Sequence, residues 1–313
     1  MKMTEQCILI TGANGLIGRH LLERLVQEGR RAIGIDLTPR DGRERVFSCS
    51  LTDTHRLYAL ARQHAITDII HCGAVSGPMV MVDNPHGIID TNVVGTANIM
   101  EVARVMEMRR LVFCSSTSAV GTTNTPDNDL VSEPIPLKPG SVYGSTKAAC
   151  EQLLSAYRLQ HGQDNVAIRL SWVYGPGRTT ACIIRSLITS VLKNQSFSLP
   201  WGADFYRQYI YVHDAGSSLL AALDAKICPA GIYTATGDSY LTLPEVAETV
   251  QQVLGTGDIH FAQGPDPLDD IQQRFDISPI FKDLNFTPQY SLSRGIRAYA
   301  DWLAPLLSQE KNS

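Results

Sequence analysis

Tyr143 and Lys147 lie four residues apart in a segment with helical spacing, which predicts that both side chains share one helix face. A lysine ammonium stabilises a phenolate, so a tyrosine placed beside it can take the proton of an alcohol or return it to a ketone. The spacing alone is also common on ordinary helices. It predicts chemistry only together with a site for a hydride carrier. Ser116 follows an apolar run and adds a hydroxyl that could hold the substrate oxygen beside Tyr143.

A glycine-rich turn near the start of the chain predicts the site for that carrier. Gly12, Gly15 and Gly18 follow the apolar residues 7–10 and precede a segment with helical spacing. In the dinucleotide fingerprint such glycines allow a tight turn, a close approach to the pyrophosphate and close packing of helix on sheet. The helix N-terminus would then face the phosphates. The alternative is a strand-to-helix turn that merely favours glycine.

Asp36 ends the second predicted strand and indicates which dinucleotide binds. A carboxylate at this place accepts hydrogen bonds from the adenosine ribose and repels a 2′-phosphate, which favours NAD over NADP. Arg40 follows closely and could weaken that repulsion. An exposed acid at a strand end, without a ligand, is the alternative.

The elements that must position these residues alternate between strand and helix. Strands are predicted at 6–11, 31–36, 68–72, 110–114 and 165–170, and helices at 16–28, 53–64, 88–106 and 143–160. Such alternation implies right-handed crossovers and a parallel sheet. The predicted fold class is therefore α/β, a Rossmann-type doubly wound parallel sheet with a smaller C-terminal α/β lobe.

The pattern becomes less regular after residue 170. A loop is predicted at 172–180, helices at 182–193, 214–225, 244–254 and 292–303, and strands at 209–212 and 231–235. Asp214 is interpreted as a helix N-cap. These elements predict an NAD-binding domain of residues 1–170 plus 207–237. Residues 171–206 plus 238–313 form the predicted substrate-binding lobe.

Composition excludes several other classes of protein. The chain has 313 residues, 44% of them hydrophobic, and a formal net charge of −4, so no basic surface for nucleic acid or membrane is predicted. No apolar run approaches the length of a membrane span, and the first six residues are too short and polar for a signal peptide. The seven cysteines form no C-x-x-C pair, and no histidines have metal-ligand spacing. We expect a cytoplasmic protein without a metal.

The motifs together resemble the extended short-chain dehydrogenase/reductase family, in its NAD-dependent epimerase/dehydratase group. The resemblance extends over roughly residues 6 to 303. The segments that carry it are 11–18 (TGANGLIG), 70–74 (IHCGA), 92–98 (NVVGTAN), 112–116 (VFCSS), 143–147 (YGSTK), 169–177 (RLSWVYGPG) and 207–214 (RQYIYVHD).

This resemblance implies NAD as cofactor, Ser116 as the hydroxyl that orients the substrate, and a homodimer formed through the helices at 88–106 and 143–160. Tyr143 and Lys147 complete the catalytic set. The cofactor-binding residues predicted from the motifs and the resemblance are Gly12, Asn14, Gly15, Leu16, Ile17, Gly18, Asp36, Ser50, Leu51, Cys72, Gly73, Ala74, Ser76, Asn92, Tyr143 and Lys147. Ser50 stands where the family often has an aspartate at the adenine edge.

Two departures from the family pattern concern the substrate. Trp172 replaces the asparagine usual in nucleotide-sugar members, and residues 263–270 are acidic where those members tend to place an arginine. A diphosphate beside that acidic loop would be costly without another cation. We therefore expect a small sugar, sugar acid or similar polar substrate. Its predicted contacts are Ser76, Ser116, Thr117, Tyr143, Arg178 and Arg207. The alternatives are a nucleotide-sugar 4-epimerase with tightly bound NAD and a non-catalytic NAD-binding sensor.

Overall fold

A seven-stranded sheet, parallel throughout, is the main element of the computed structural model, which describes residues 6–38, 45–125 and 129–309. From edge to edge its strands are β10 (Ile232–Ala235), β6 (Asn165–Leu170), β5 (Arg110–Ser116), β4 (Asp68–His71), β1 (Ile8–Thr11), β2 (Ala32–Asp36) and β3 (Val46–Ser48). This topology confirms the predicted fold class. The strand order changes direction between β1 and β4, and a doubly wound sheet binds ligands at that switch point.

Helices cover both faces of this sheet. One face carries α1 (Leu16–Gln27), α7 (Val212–Asp224) and α9 (Ser278–Leu284), and the other carries α2 (Thr54–Gln63), α4 (Gly95–Val105) and α5 (Val142–His161). Alternate residues of β1 serve the two layers. Ile8 and Ile10 pack with the α1 and α7 side, whereas Leu9 packs with the α2, α4 and α5 side. Both faces are apolar because a parallel sheet is buried on both sides.

A smaller lobe follows β6. Its sheets are formed by β7 (Trp172–Tyr174), β9 (Tyr206–Tyr211) and β11 (Tyr240–Thr242), and by β8 (Phe197–Leu199) with β12 (Ile259–Phe261). The helices α6 (Ile183–Lys193), α8 (Leu243–Leu254) and α10 (Leu292–Gln309) pack against them. The division into two domains stays a prediction. The strand at 206–211, which that division grouped mainly with the larger sheet, pairs here with the smaller one.

Three local predictions need correction. The loop predicted at 172–180 begins with a strand, β7, because its backbone pairs with β9. The helix predicted at 88–106 is divided into α3 (Pro85–Ile89), a π-helical turn (Asp90–Val94) and α4. Asp214 is not an N-cap, because it lies inside the first turn of α7, and its carboxylate accepts hydrogen bonds from the backbone of Gln289 and Tyr290.

Among the residues that the structure describes, no helix combines the length and the apolar character that crossing a membrane requires. The seven cysteines all lie within the described ranges and form no disulfide.

Candidate active site

The glycine turn between β1 and α1 is packed so closely that side chains are excluded from it. A Cβ on Gly12, which has a φ of +66°, would lie 2.8 Å from the backbone of Gly73. A Cβ on Gly18 would lie 2.2 Å from the carbonyl oxygen of Gly12. Gly15 caps α1 without a side-chain hydrogen bond, and no acidic residue occupies the first turn. The first N–H groups of helix α1 therefore have no side-chain cap and remain available to an anion, which is the arrangement that a pyrophosphate fits.

A buried chain of hydrogen bonds joins this turn to the segment after β4. The amide of Gly73 donates to Thr11 Oγ1 at 2.9 Å, and Thr11 Oγ1 lies 2.6 Å from Nδ1 of His71. Nε2 of His71 lies 2.9 Å from Thr96 Oγ1, which donates to the carbonyl of Asn92. Since Thr96 gives its proton to that carbonyl, it must accept from Nε2. The Nε2 atom of His71 therefore carries a proton.

Burial, assisted by the nearby charge of Lys147, lowers the pKa of His71 to about 3. A neutral imidazole at every ordinary pH suits a structural role for this residue. Sequence reasoning missed the network because Thr11, His71 and Thr96 lie far apart in the chain. The motif around residues 70–74 was the available signal.

Asp36 lies at the end of β2 and holds the glycine turn from the other side. Its Oδ2 accepts from the amide of Asn14 at 2.8 Å, and its Oδ1 accepts from the amide of Leu37 at 2.8 Å. A carboxylate has about four acceptor positions, so capacity remains for the ribose hydroxyls of a dinucleotide. Oδ1 of Asn14 is buried without a hydrogen-bond partner, which also fits a ligand here. Arg40 lies outside the described residues.

Helix α5 carries Tyr143 in its first turn and is fixed by packing on both sides. Ser141 caps it, accepting from the amide of Gly144 at 3.0 Å. A Cβ on Gly144 would lie 2.3 Å from the carbonyl oxygen of Ser118. The glycine thus lets the helix contact the turn that follows β5. This contact brings Tyr143 to the loop that carries Ser116.

Two turns further along α5, a buried ion pair holds the helix to the sheet. Glu151 and Arg169 are both almost fully buried, and their charged groups are 2.8 Å apart. Glu151 also accepts a 2.6 Å hydrogen bond from the hydroxyl of Ser115. Tyr143, Lys147 and Glu151 recur every four residues, so this anchor acts on the helix face that bears the predicted catalytic pair.

Lys147 is buried beneath Tyr143. Its Nζ donates to the carbonyl of Cys114 at 2.7 Å and lies 4.5 Å from the ring centroid of Phe113. The same nitrogen is 5.9 Å from the ring centroid of Tyr143. Ser116 is half-buried nearby, and its hydroxyl contacts Ser118, whose amide donates to it at 3.1 Å. The buried cation of Lys147 thus lies close to the tyrosine ring and to the loop that carries Ser116.

A single cleft of about 760 Å³ connects the glycine turn with Tyr143. This volume lies within the usual range for small-molecule sites. The predicted site residues on its walls are Gly12, Asn14, Gly15, Leu16, Ile17, Asp36, Ser50, Leu51, Cys72, Gly73, Ala74, Ser76, Ser116, Thr117, Tyr143 and Arg178. Within the described ranges, no group of three or more His, Cys, Asp or Glu side chains is placed to hold a metal.

Four predicted site residues do not line the cleft: Gly18, Asn92, Lys147 and Arg207. Gly18 and Lys147 lie one layer behind it and act through packing and charge. Asn92 is also behind the wall, because its amide is occupied by both backbone groups of Val75. Sequence reasoning, in turn, missed wall residues contributed by the π-helical turn, by the residue between β6 and β7, and by β7 with the loop after it: Asp90, Thr91, Ser171, Val173, Thr179 and Thr180.

Arg178 and Arg207 differ in their surroundings. Arg178 lines the cleft, where its guanidinium donates to the carbonyls of Val173 and Ala181, while its Nε is buried without a partner. Arg207 lies outside the cleft wall and forms ion pairs with Asp266 and Asp269. The expectation that Arg207 contacts the substrate stays a prediction, and in this structure two carboxylates already occupy its guanidinium.

The sequence and the structure were compared with those of known proteins. Residues 8–233 match the family described as NAD dependent epimerase/dehydratase family. The chain is 24% identical to a UDP-glucuronate 4-epimerase of Thermodesulfobacterium geofontis, covering 94% of this chain and 95% of that protein. It is 27% identical to a putative UDP-glucose 4-epimerase of Methanocaldococcus jannaschii, covering 95% and 98%. A Thermus thermophilus UDP-glucose 4-epimerase solved with NAD superposes with a TM-score of 0.83 at 25% identity, covering 95% and 98%.

Proposed function

The chain belongs to the NAD-dependent epimerase/dehydratase family, and on this premise we propose that it transfers hydride at a secondary alcohol or ketone of a small polar substrate. The substrate class is a small sugar, a sugar acid or a similar molecule. The proposal rests on one observation: Tyr143, Ser116 and the glycine turn all line the same cleft.

The residues around the cleft fit the cofactor. When bound, NAD supplies the acceptor or the donor of the hydride. The open N-terminus of α1 would hold its pyrophosphate, and Asp36 would accept from the adenosine ribose. Lys147 would serve the nicotinamide ribose from behind the wall. These roles follow from donor and acceptor chemistry, and they agree with the exclusion of side chains at Gly12 and Gly18.

Residues of the chain itself transfer the proton. In the oxidation direction Tyr143 takes the proton of the substrate hydroxyl, and in the reduction direction it returns a proton to the ketone oxygen. The ammonium of Lys147 stabilises the phenolate between these states. Ser116 holds the same substrate oxygen in place, which limits the orientations in which the proton can move.

A nucleotide-sugar 4-epimerase is the second candidate, and the relatives favour it, since two of them bear that activity in their names. Such an enzyme returns the hydride to the other face and keeps its NAD. The ion pairs of Arg207 argue against it, because they remove a cation that a diphosphate would need. A non-catalytic sensor is less well supported, since both Tyr143 and Lys147 are present.

We also propose a homodimer formed through α4 and α5. Exposed apolar side chains on this side of the molecule support it: Val94 is 45% exposed, Val105 45% and Leu159 86%. The cytoplasmic location remains a prediction from composition.

A substrate panel tests the proposed reaction. Aldonic acids, uronic acids, free sugars, polyols and nucleotide sugars are incubated with NAD, and NADH is followed by its absorbance. We expect NADH from at least one small substrate, and its loss in Tyr143→Phe. The matched control is Tyr206→Phe, which alters an exposed tyrosine outside the cleft. Interconversion of a nucleotide sugar with retained NAD, and no NADH from small substrates, would establish the epimerase instead.

A further inference from the structure

Arg207 forms a closed ionic cluster behind the substrate end of the cleft. Its Nε and Nη2 contact Oδ2 of Asp269 at 3.0 and 2.9 Å, and Nη2 also contacts Asp266. The three side chains are 4, 7 and 11% exposed for Arg207, Asp269 and Asp266. One cation with two carboxylates gives the cluster a formal charge of −1. A further anion at this place would meet net repulsion in a poorly solvated environment.

The cluster holds Arg207 firmly in its charged form. Burial opposes that form, but the pKa of Arg207 is nevertheless raised, because Tyr209 and the two carboxylates stabilise the guanidinium. The carboxylates are themselves fixed in place. The amide of Leu268 donates to Asp266 at 2.9 Å, and the amide of Gly202 donates to the carbonyl of Gly264 at 2.8 Å. A backbone hydrogen bond therefore fixes the acidic segment to the smaller lobe close to the carboxylates that contact Arg207.

Trp172 lies between this cluster and the cleft. Its Nε1 donates to Oδ2 of Asp269 at 2.8 Å, and its ring is 4.2 Å from the Cζ of Arg207. The same ring lines the cleft and is 5.6 Å from the Cζ of Arg178. The indole is therefore a wall that Asp269 keeps in one orientation and Arg207 supports from behind.

We propose that Trp172 and the Arg207–Asp266–Asp269 cluster determine substrate specificity by excluding nucleoside-diphosphate groups. The indole limits the length of the substrate, and the carboxylates occupy the guanidinium that a diphosphate would use. Among the described residues on the cleft wall, Arg178 is the one that carries a cationic side chain. The substrate class is then a small polyhydroxy molecule with at most one negative charge. This inference rests on the proposed function and narrows it.

Titration calorimetry on the NAD-loaded protein tests the inference with UDP-glucose as the probe. The variant is Trp172→Ala with Asp266→Asn, which opens the wall and raises the cluster charge to zero. Asp269 is retained, because removing every counter-ion of a buried arginine destabilises the fold. We expect no binding by the wild type at about 1 mM probe, and binding by the variant at least about tenfold tighter than that limit.

Asp270→Asn is the matched control. It makes the same charge change in the same segment, but Asp270 contacts Thr122 and not Arg207. Should Trp172→Ala with Asp266→Asn fail to fold, the milder Trp172→Phe with Asp266→Asn is titrated instead, with an expected gain of at least about threefold over the wild type.

Micromolar binding of UDP-glucose by the wild type, or an equal gain in Asp270→Asn, or no gain in the folded variants, would overturn the inference. The readout is binding and needs no turnover. A failure of the small-substrate panel to yield NADH would therefore refute the proposed reaction separately, while leaving the titration result intact.

Discussion

Replacement of His71 by glutamine should change how the stability of the protein depends on pH. Burial and Lys147 lower the pKa of His71 to about 3 in the folded state, whereas an unfolded histidine has a pKa of 6.5. Below pH 6.5 the unfolded chain therefore binds a proton that the folded chain does not. Stability is lost as the pH falls from 6.5 toward 3, and the loss is complete below the folded pKa.

The size of this loss follows from the two pKa values. Proton binding to His71 in the unfolded chain lowers the free energy of unfolding by about 0.2 kcal/mol at pH 7 and by about 2 kcal/mol at pH 5. The free energy of unfolding of the wild type should therefore fall by about 2 kcal/mol between pH 7 and pH 5 because of His71. Glutamine keeps an amide donor and acceptor at this position but does not titrate, so His71→Gln escapes this loss.

Urea unfolding of both proteins at pH 7, 6 and 5, at one fixed NAD concentration, measures the effect. All other titrating groups are shared, so the difference between the two free energies of unfolding isolates His71. We expect the wild type to be more stable at pH 7, and this advantage to shrink by about 2 kcal/mol at pH 5. His86→Gln is the control, because His86 is exposed. A difference that stays constant with pH would refute the assignment of a buried neutral imidazole.

Three further predictions concern the cofactor and the proton. Tyr143→Phe should lower kcat by about 10²-fold or more with little change in NAD affinity by fluorescence titration, since only a proton-transfer group is lost; near-normal turnover would contradict this role. Asp36→Ala should narrow a wild-type preference for NAD over NADP of at least about tenfold in kcat/KM; a wild-type preference for NADP would instead indicate that Arg40 prevails. Gly18→Ala should weaken NAD binding and lower the Tm, because the new Cβ would lie 2.2 Å from the carbonyl oxygen of Gly12. Gly216→Ala is the control and should do neither, because a Cβ there would lie 3.5 Å from its nearest neighbour, an ordinary contact distance.

The features that the sequence predicted well are local ones. The glycine turn, the strand before it and the spacing of Tyr143 and Lys147 are each set within a few residues of the chain, so period and residue type are sufficient. The short strand β3 was missed because three residues carry too little periodicity. The π-helical turn was missed because its residue types do not differ from those of an ordinary helix, and the partner of Asn92 within it, Val75, lies 17 positions earlier in the chain.

Arg207 shows where reasoning from residue types stops. Its charge indicated an anion site, and the acidic segment was recognised as unusual, but the two observations stayed separate. The partners lie 59 and 62 positions further along the chain. Their pairing depends on how the small lobe folds, which no spacing rule describes. The structure joins both observations into one cluster and thereby changes the role expected of the arginine.

The position of α7 has a consequence for the order of events during synthesis. This helix, together with α1, covers one face of the large sheet, although α1 ends at residue 27 and α7 begins at residue 212. The apolar residues Ile8, Ile10, Ile70 and Val112 on that face therefore stay partly uncovered until residue 224 has left the ribosome. At 5–20 residues per second this interval lasts roughly ten seconds or more. A nascent chain of this protein thus presents a half-covered apolar sheet for most of its translation, and exposed surface of this kind makes incomplete chains more prone to aggregation than the finished molecule.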